Sequence, residues 1–560
     1  MPELNKLYYG DNLEIMKEKM TSKSVDLIYL DPPFNSARNY NMMYTTMTGM
    51  PVSEQEEAFC DTWTLGADKI DKMQYMPLIM REYGIDDRQI QFFDALLPSL
   101  QHTQPALLSY MIYMVERLLE MKRILKPTGS IYLHCDSTAS HYIKLMTDAI
   151  FGYNNFRNEI IWKRTHAHNG AKRWGPIHDV IFFYTKSDSY TWNKVYTSYD
   201  DEYIKNTYTK SDEHGRYKLE NLTGAGVIKT GSGGQPWRGV DISRKGRKWA
   251  IPSRSIARAL KTITPSKPVD QMNTHEKLDL LDAAGLIAWP EKGTMPNYKQ
   301  YLDDMEGIPI QDIILDISPL SANSKERLGY PTQKPVALLD RIIKASCPED
   351  GVVFDPFCGC GTTINAALKN NRKWIGCDIA ILPVKLIKEH LTSTHRLKED
   401  KHFEIDGIPV SYEQADILSV KNKHQFQHWL VEQIGGFPTV KKSNDKGIDG
   451  RLYIKTNEGL KEMVLSVKGG KSVSTDEIRE LRGVLDREDK AVMAGYLSLI
   501  EPTQGMYDEA AKAGMWEHEG LKYAKIQILH VKEILEDSKF FHTPSRVGLK
   551  IASQQMTLGI

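Results

Sequence analysis

The chain reads as a doubly wound α/β protein with two further parts, and three observations predict this. Short apolar runs of strand length recur in the first 190 residues and again after 350. Helical patterns separate them. Between 187 and 325, and again from 401, that alternation gives way to something else.

The strand candidates are "VDLIYLD" (25–31), "GSIYLHCD" (129–136), "DVIFFYTK" (179–186), "GVVFDPF" (351–357) and "KWIGCDI" (373–379). Each is nearly continuous in apolar character, the pattern of a parallel strand buried on both faces. Helices are expected at "LLSYMIYMVERLLEMKRIL" (107–125), "ASHYIKLMTDAIFG" (139–152), "PVALLDRIIKAS" (335–346) and "TTINAALKN" (362–370). The stretch 187–325 is rich in Lys, Arg, Tyr, Trp and Gly and reads as an insert. Residues 401–560 form a compact α/β pattern of their own, with the helix "HQFQHWLVEQIGG", the runs "KGIDGRLYI" and "EMVLSVKGG", and the helix "TDEIRELRGVL".

Composition sets the outer bounds. A length of 560 residues suggests two to four domains, and 41% hydrophobic with 26% charged residues is the balance of an ordinary globular protein. Seventy-two basic side chains match 72 acidic ones, so any nucleic-acid surface has to be a local patch. Six cysteines without a CxxC pair argue against a disulfide framework or a zinc ribbon and for a reducing compartment. The opening "MPELNKLYYGDNLEIM" lacks a signal-peptide pattern, and no run approaches the ~18 apolar residues of a membrane span. The expectation is a cytoplasmic, nucleoid-associated prokaryotic protein with no membrane partner.

Two strand ends carry unusual chemistry. Asp31-Pro32-Pro33-Phe34 holds a carboxylate at the tip of an apolar run, with prolines fixing the turn behind it. "FDPFCGCGTT", Phe354 to Thr363, runs from strand through a glycine loop into a helix. Gly359 and Gly361 let the backbone approach a ligand, and Thr362 opens a helix whose N–H groups face it. The next run ends in Asp378, placed to accept from a ribose hydroxyl pair. Ligands on open α/β sheets sit beyond such strand ends.

Together these segments resemble the β-class amino-group DNA methyltransferases, including the modification subunits of type III restriction systems. Those enzymes methylate adenine N6 or cytosine N4 from S-adenosylmethionine. The order here, catalytic motif, insert, cofactor loop, is similar to that class. So are "YYGDNLEIM", "EMKRILKPTGSIYLHCDSTASHYIKLMTDAIFG" and "YPTQKPVALLDRII" (330–343). The resemblance covers roughly 1–190 and 325–395. It implies a Rossmann-like methyltransferase sheet split between 1–186 and 326–400, with a target-recognition insert at 187–325. It further implies that Asp31 and the Pro32 carbonyl accept from the exocyclic amine while Phe34 stacks on the flipped base. Asp11, Asp355, Phe357, Gly359, Gly361, Thr362, Asp378, Thr332 and Lys334 are then the cofactor-binding candidates. An Asp rather than a Ser at the head of the motif favours adenine N6 over cytosine N4. His134 and Asp136, at the end of a strand on the same side, either line the cofactor site or make structural hydrogen bonds.

The insert supplies candidates for contact with double-stranded DNA. Arg238, Arg244, Lys245, Arg247, Lys248 and Arg254 form a basic stripe with Trp237 and Trp249 interleaved, a pattern suited to phosphate contact and base reading. Residues 420–530 resemble the Mrr-like restriction endonucleases, which use an Asp…(Glu/Gln)-x-Lys pattern to hold Mg²⁺. Asp449 and Lys468 fit, with Asp449 the candidate metal ligand. Ser466 stands where that family has Glu or Gln, and Gln427 where it often has Glu, so both changes weaken a metal site. Asp445 or Glu432 would have to supply the missing acid.

"GGKS" (469–472) lacks the earlier glycine of a phosphate loop, so a motor for any ATP-driven restriction system would be a separate restriction or helicase subunit. A homodimer is also expected. The reading is therefore an adenine-N6 DNA methyltransferase of a restriction or phage-defence system. Its rivals are a single-chain enzyme that also cleaves DNA with Mg²⁺, a cytosine-N4 methylase, and a catalytically silent DNA-binding scaffold.

Overall fold

The computed structural model describes every residue except 1–3, 34–38, 43, 46–55, 61–62, 64, 136–138, 166–171, 173, 227, 229–230, 243–245, 292–294, 322–323, 325, 329–332, 440–446, 458, 545–549 and 552–560. The chain divides into two compact units, Lys194–Gln311 and the remainder, Met1–Asn193 with Asp312–Ile560.

The larger unit is built on a nine-stranded sheet. Its strands in chain order are β1 (Asn5–Tyr9), β2 (Val25–Leu30), β3 (Leu125–Cys135), β4 (Phe156–Lys163), β5 (His178–Thr185), β6 (Ile313–Ile314), β7 (Val352–Asp355), β8 (Lys373–Asp378) and β9 (Phe403–Asp406). In space they run β6-β4-β5-β3-β2-β7-β8-β1-β9. The central pairs are parallel, with Leu27 beside Val353 and Ile28 beside Phe354. β5 differs from its sequence reading: it runs antiparallel to both β3 and β4. An apolar run buried on both faces does not reveal strand direction. β1 and β4 were not singled out in the sequence, and β9 carries the sheet past residue 400, where the sequence reading ends the methyltransferase part.

β2 is buried at all six positions, with Leu27 and Tyr29 on one face and Ile28 and Leu30 on the other. Helices cover both faces, each fully buried Leu or Ile contributing about 1.5–3 kcal/mol. α1 (Asn12–Lys19) is capped by Asp11, whose carboxylate accepts from Leu13 N at 2.8 Å. α2 (Pro105–Ile124) starts with Pro at N1 and packs against α1. α3 (Val336–Ser346), α4 (Thr362–Lys369) and α5 (Ile381–Ser393) line the Leu27 face, and the helices Ala67–Glu82, Asp87–Leu100 and Ser140–Phe151 join α2 on the Ile28 face. Buried Asp26 ties the centre together, accepting from Val352 N at 2.9 Å and from Lys126 Nζ at 2.7 Å.

The C-terminal part follows α6 (Lys423–Gln433) with β10 (Phe437–Pro438), β11 (Gly450–Thr456), β12 (Gly459–Lys468), α7 (Thr475–Arg487), β13 (Ala491–Ser498) and β14 (Ile526–His530). These strands form one sheet in that order, antiparallel up to β12 and parallel beyond it. One apolar cluster runs without a break from Leu7, Trp374 and Phe403 into Phe426, Trp429, Leu465 and Leu497. No helix among the described residues is long and apolar enough to cross a membrane.

The smaller unit holds a four-stranded sheet of Lys210–Asp212, Gly215–Asn221, Asn297–Tyr301 and Ile287–Ala288. The helices Ser253–Ala259 and Thr274–Ala283 accompany it. Trp237 and Trp249 are both buried in its core with Ile242, Leu278 and Tyr301. Their place among basic residues had suggested base-facing aromatics; instead they are the hydrophobic anchor of the unit.

Candidate active site

A cleft of about 930 Å³, its open mouth included, lies at the ends of β2, β7 and β8 and holds most of the predicted site residues in its wall. Asp31 and Pro33 reach it from β2, and Asp355, Phe357, Gly359 and Thr362 from the β7–α4 loop. Asp378 comes from β8, Asp11 from the start of α1, and Lys334 from the segment before α3.

Each loop is shaped by identifiable bonds. Gly361 is the N-cap of α4 at φ +84°, where a Cβ would lie 2.8 Å from Ile387 Cγ1, so only glycine fits. Asp355 is nearly fully buried and accepts from Phe357 N at 3.0 Å and from the Thr363 hydroxyl. Asp378 accepts from Gly359 N at 2.9 Å and Ala380 N at 3.0 Å, pinning the glycine loop to the end of β8. Burial pushes both carboxyls up against these bonds, Asp355 to about 7 and Asp378 to about 6. Cys358 and Cys360 are buried loop residues, and burial raises both thiols, Cys360 to about 12.

Asp31 has two different oxygens. Oδ2 is bonded by the ammonium of Lys334, 303 residues away in sequence. Oδ1 is buried and has no hydrogen-bond partner among the described residues. Pro32 behind it is buried.

Three contributors were missed in the sequence. Arg117 of α2 is 3% exposed and grips Asp11 with Nη2, at 2.7 Å and 2.9 Å to the two carboxylate oxygens. Its Nε donates to Asn12 Oδ1 at 2.7 Å, and its guanidinium carbon sits 3.4 Å from the centre of the Tyr113 ring. Asn12 in turn donates to the Pro356 carbonyl at 2.8 Å, joining α1 to the glycine loop. Nothing local marks these residues: Arg117 reads as one charge in a long helix. Lys334, named for the cofactor, lies in the cleft wall and also bonds Asp31.

Other predicted residues lie elsewhere. His134 is fully buried and is not in the cleft wall; it bonds Tyr29 and Asp179 beneath it. Phe34, Thr332, Asp136, Arg244, Lys245 and Asp445 lie outside the described residues. Arg238 pairs with Asp279 and Asp282, Arg254 with Glu306, and Arg247 donates to Thr223, so three members of the basic stripe are held by their own unit. Lys248 is half-buried on the short strand Arg247–Trp249.

In the C-terminal part, Asp449 precedes β11 and its Oδ2 accepts from Val467 N at 2.8 Å. Ser466 is buried on β12, with Lys468 at the end of the same strand. Among the described residues no group of three or more His, Cys, Asp or Glu is arranged to hold a metal ion. Mg²⁺ therefore finds no support at Asp449.

Residues 25–389 match the N6_N4 DNA methylase family. The type II methyltransferase M.EcaI of Enterobacter cloacae is 28% identical over 385 residues, 68% of each chain. The StyLTI Mod subunit, a type III restriction-modification protein of Salmonella typhimurium, is 25% identical over 381 residues, 65% of this chain and 50% of that one. A DNA modification methylase from Thermus thermophilus, solved with S-adenosyl-L-methionine, aligns at a TM-score of 0.31 with 14% identity, over 72% of this chain and 98% of its own. Matched from the strand that carries Asp31 through the one that ends at Asp378 and beyond, the chain belongs to the N6_N4 DNA methylase family.

Proposed function

We propose that the chain transfers a methyl group from S-adenosylmethionine to N6 of adenine in double-stranded DNA, as the modification component of a restriction system. The observation that carries this reading is Asp31 Oδ1, a buried acceptor without a partner among the described residues, in one cleft with the glycine loop. An exocyclic amine is a weak nucleophile because its lone pair is conjugated with the ring. Oδ1 accepts one N–H and the Pro32 carbonyl the other, which draws the nitrogen toward tetrahedral geometry. Lys334 keeps Oδ2 occupied, so the amine meets Oδ1.

The cleft suits the methyl donor. Gly359 and Thr362 bring the loop backbone to its wall, Asp378 and Asp11 offer carboxylates for ribose and adenine, and Tyr113 and Phe357 supply aromatic wall. When bound, that donor supplies an electrophilic methyl group. An Asp rather than a Ser at position 31 favours adenine over cytosine.

The relatives named as type III Mod subunits support a separate restriction subunit as partner. We read the insert as the part that recognises the target sequence and the C-terminal part as a DNA-docking module of nuclease ancestry, since Ser466 stands in place of an acid. A homodimer fits the same reading.

The test is transfer of labelled methyl to mixed-sequence unmethylated DNA, followed by nucleoside separation, with Asp31→Ala alongside. Label in N6-methyladenosine that vanishes in the variant is expected. Label in N4-methylcytosine overturns the base, and label retained by Asp31→Ala overturns the site.

A further inference from the structure

β4 and β5 are joined by a turn that leaves the sheet on the side of the cleft. β3 and β4 both run antiparallel to β5, so β4 points the same way as β3, β2 and β7. Its carboxyl end, Lys163, therefore lies along the edge where β2 delivers Asp31. The root of the turn is firm. Arg164 N and Thr165 N donate to the Ile177 carbonyl at 2.9 Å and 3.3 Å, and Arg164 Nε lies 3.2 Å from Oδ1 of the buried Asp179. Beyond it, Pro176 fixes its own φ and narrows the choice at Gly175, which stiffens the stem under Trp174.

Trp174 is 99% exposed, and the next most exposed large apolar side chain among the described residues, Val410, stands at 73%. An indole normally finds cover. Scattered apolar side chains on a surface call for no explanation, but two things set this one apart. One is charge: residues 160–178 contain Lys163, Arg164, Lys172 and Arg173 and no Asp or Glu. Lys163 and Lys172 are exposed. What such a turn attracts is a polyanion. The other is position. Asp31 and the root of the turn are three strand spacings apart, about 14 Å. The stem from Ile177 to Trp174 spans at most about 10 Å. An indole on that stem is within reach of a duplex whose target base has entered the cleft.

We propose that Trp174 enters the duplex and fills the gap that the target adenine leaves, while Lys163 and Lys172 hold the flanking phosphates. The inference deepens the methyl-transfer reading and rests on it. A base inside a duplex cannot meet Asp31 Oδ1, so it has to swing out, losing its stacking on both neighbours. The hole it leaves favours its return. An indole between the neighbouring pairs replaces the lost stacking and prolongs the extrahelical state. Every base offers a π face, so Trp174 does this beside any flanking sequence and leaves recognition to other residues. No bond is made or broken; the turn shifts an equilibrium that precedes methyl transfer.

The experiment first maps the sites that the wild-type chain methylates, then places 2-aminopurine at the target position, where its fluorescence rises on leaving the stack. Wild type, Trp174→Ala and Trp174→Phe are compared in that signal at saturating protein and in single-turnover methyl transfer to the unsubstituted site. S-adenosylmethionine affinity and melting midpoint are measured on each. In Trp174→Ala the rise should disappear and transfer fall about 10- to 100-fold, with Trp174→Phe recovering much of both. Cofactor affinity and melting midpoint should hold, since the indole stands almost wholly in water. Wild type should also bind a duplex with an abasic target position more tightly than Trp174→Ala does, by a similar factor. A full aminopurine rise with the wild-type rate in Trp174→Ala overturns the inference. So does weaker DNA binding alone, erased by more protein, which marks an outer contact. A wild-type chain that transfers no methyl at all overturns the parent reading together with this one, whereas transfer indifferent to Trp174→Ala overturns this one alone.

Discussion

Replacing Asp355 by Asn should remove most of the pH dependence that the glycine loop imposes on stability. Asp355 sits in the folded protein with its carboxyl raised to about 7, burial outweighing the bonds from Thr363 and Phe357 N. Unfolded, it titrates near 3.9. The folded state therefore binds the proton more tightly. The stabilisation from this group is fully present below about pH 4, is lost as pH rises to about 7, and changes no further above that. Roughly three units at 1.36 kcal/mol each give about 4 kcal/mol across that window. At ~2.1 cal/mol/K per residue, a cooperative unit of several hundred residues shifts by roughly 1 °C per kcal/mol, so the full effect is roughly 4 °C. Scanning calorimetry of the ligand-free chain and of Asp355→Asn between about pH 4 and 8 measures it, with the contribution of Asp378 cancelling in the difference. The wild-type midpoint should fall relative to the variant's as pH rises. Parallel curves would refute the claim that burial raises the Asp355 carboxyl in the folded protein.

Four further outcomes follow from the same geometry. Lys334→Met removes the cation from Asp31, whose side chain is 16% exposed, and should cut methyl transfer at least about tenfold in single-turnover assays while cofactor affinity holds. Arg117→Met leaves Asp11 and Asn12 without their clamp; a loss of about 3–5 kcal/mol in stability and a cofactor Kd raised at least about tenfold should appear in calorimetry. Gly361→Ala forces a side chain into φ +84° and against Ile387, and should lower the melting midpoint and abolish cofactor binding. Unmethylated DNA incubated with the wild-type chain and Mg²⁺ should stay intact on a gel, because Ser466 supplies no carboxylate beside Asp449.

What could be read in the sequence was whatever the chain keeps contiguous. Asp31 with its prolines and the Gly359–Gly361 loop announce themselves within a few residues, because strand end, turn and helix start are local events. Partnerships made across the sheet leave no such trace. Lys334 meets Asp31 only because the segment before α3 folds back over β2. Arg117 meets Asp11 because α2 lies along α1, and in sequence it is one charge among many on a long helix. His134 carried two open readings, and the register of β3 against β5 resolves it as buried beneath the site. Trp237 and Trp249 misled for the converse reason: alternation of basic and aromatic residues fits a core as well as a nucleic-acid face, and only burial separates the two.

The unbroken apolar cluster from Trp374 and Phe403 to Trp429 and Leu497 bears on how this protein can be altered or inherited. A gene cut after residue 400 would not shed an appendage. It would strip β9 from the sheet, leave β1 as a bare edge, and open to water the Trp374 face against which Phe403 packs, inviting aggregation. The C-terminal part is thus not a cassette that recombination can exchange freely. Whatever it came to do, it has to change by substitution in place, in step with the methylase against which it is packed.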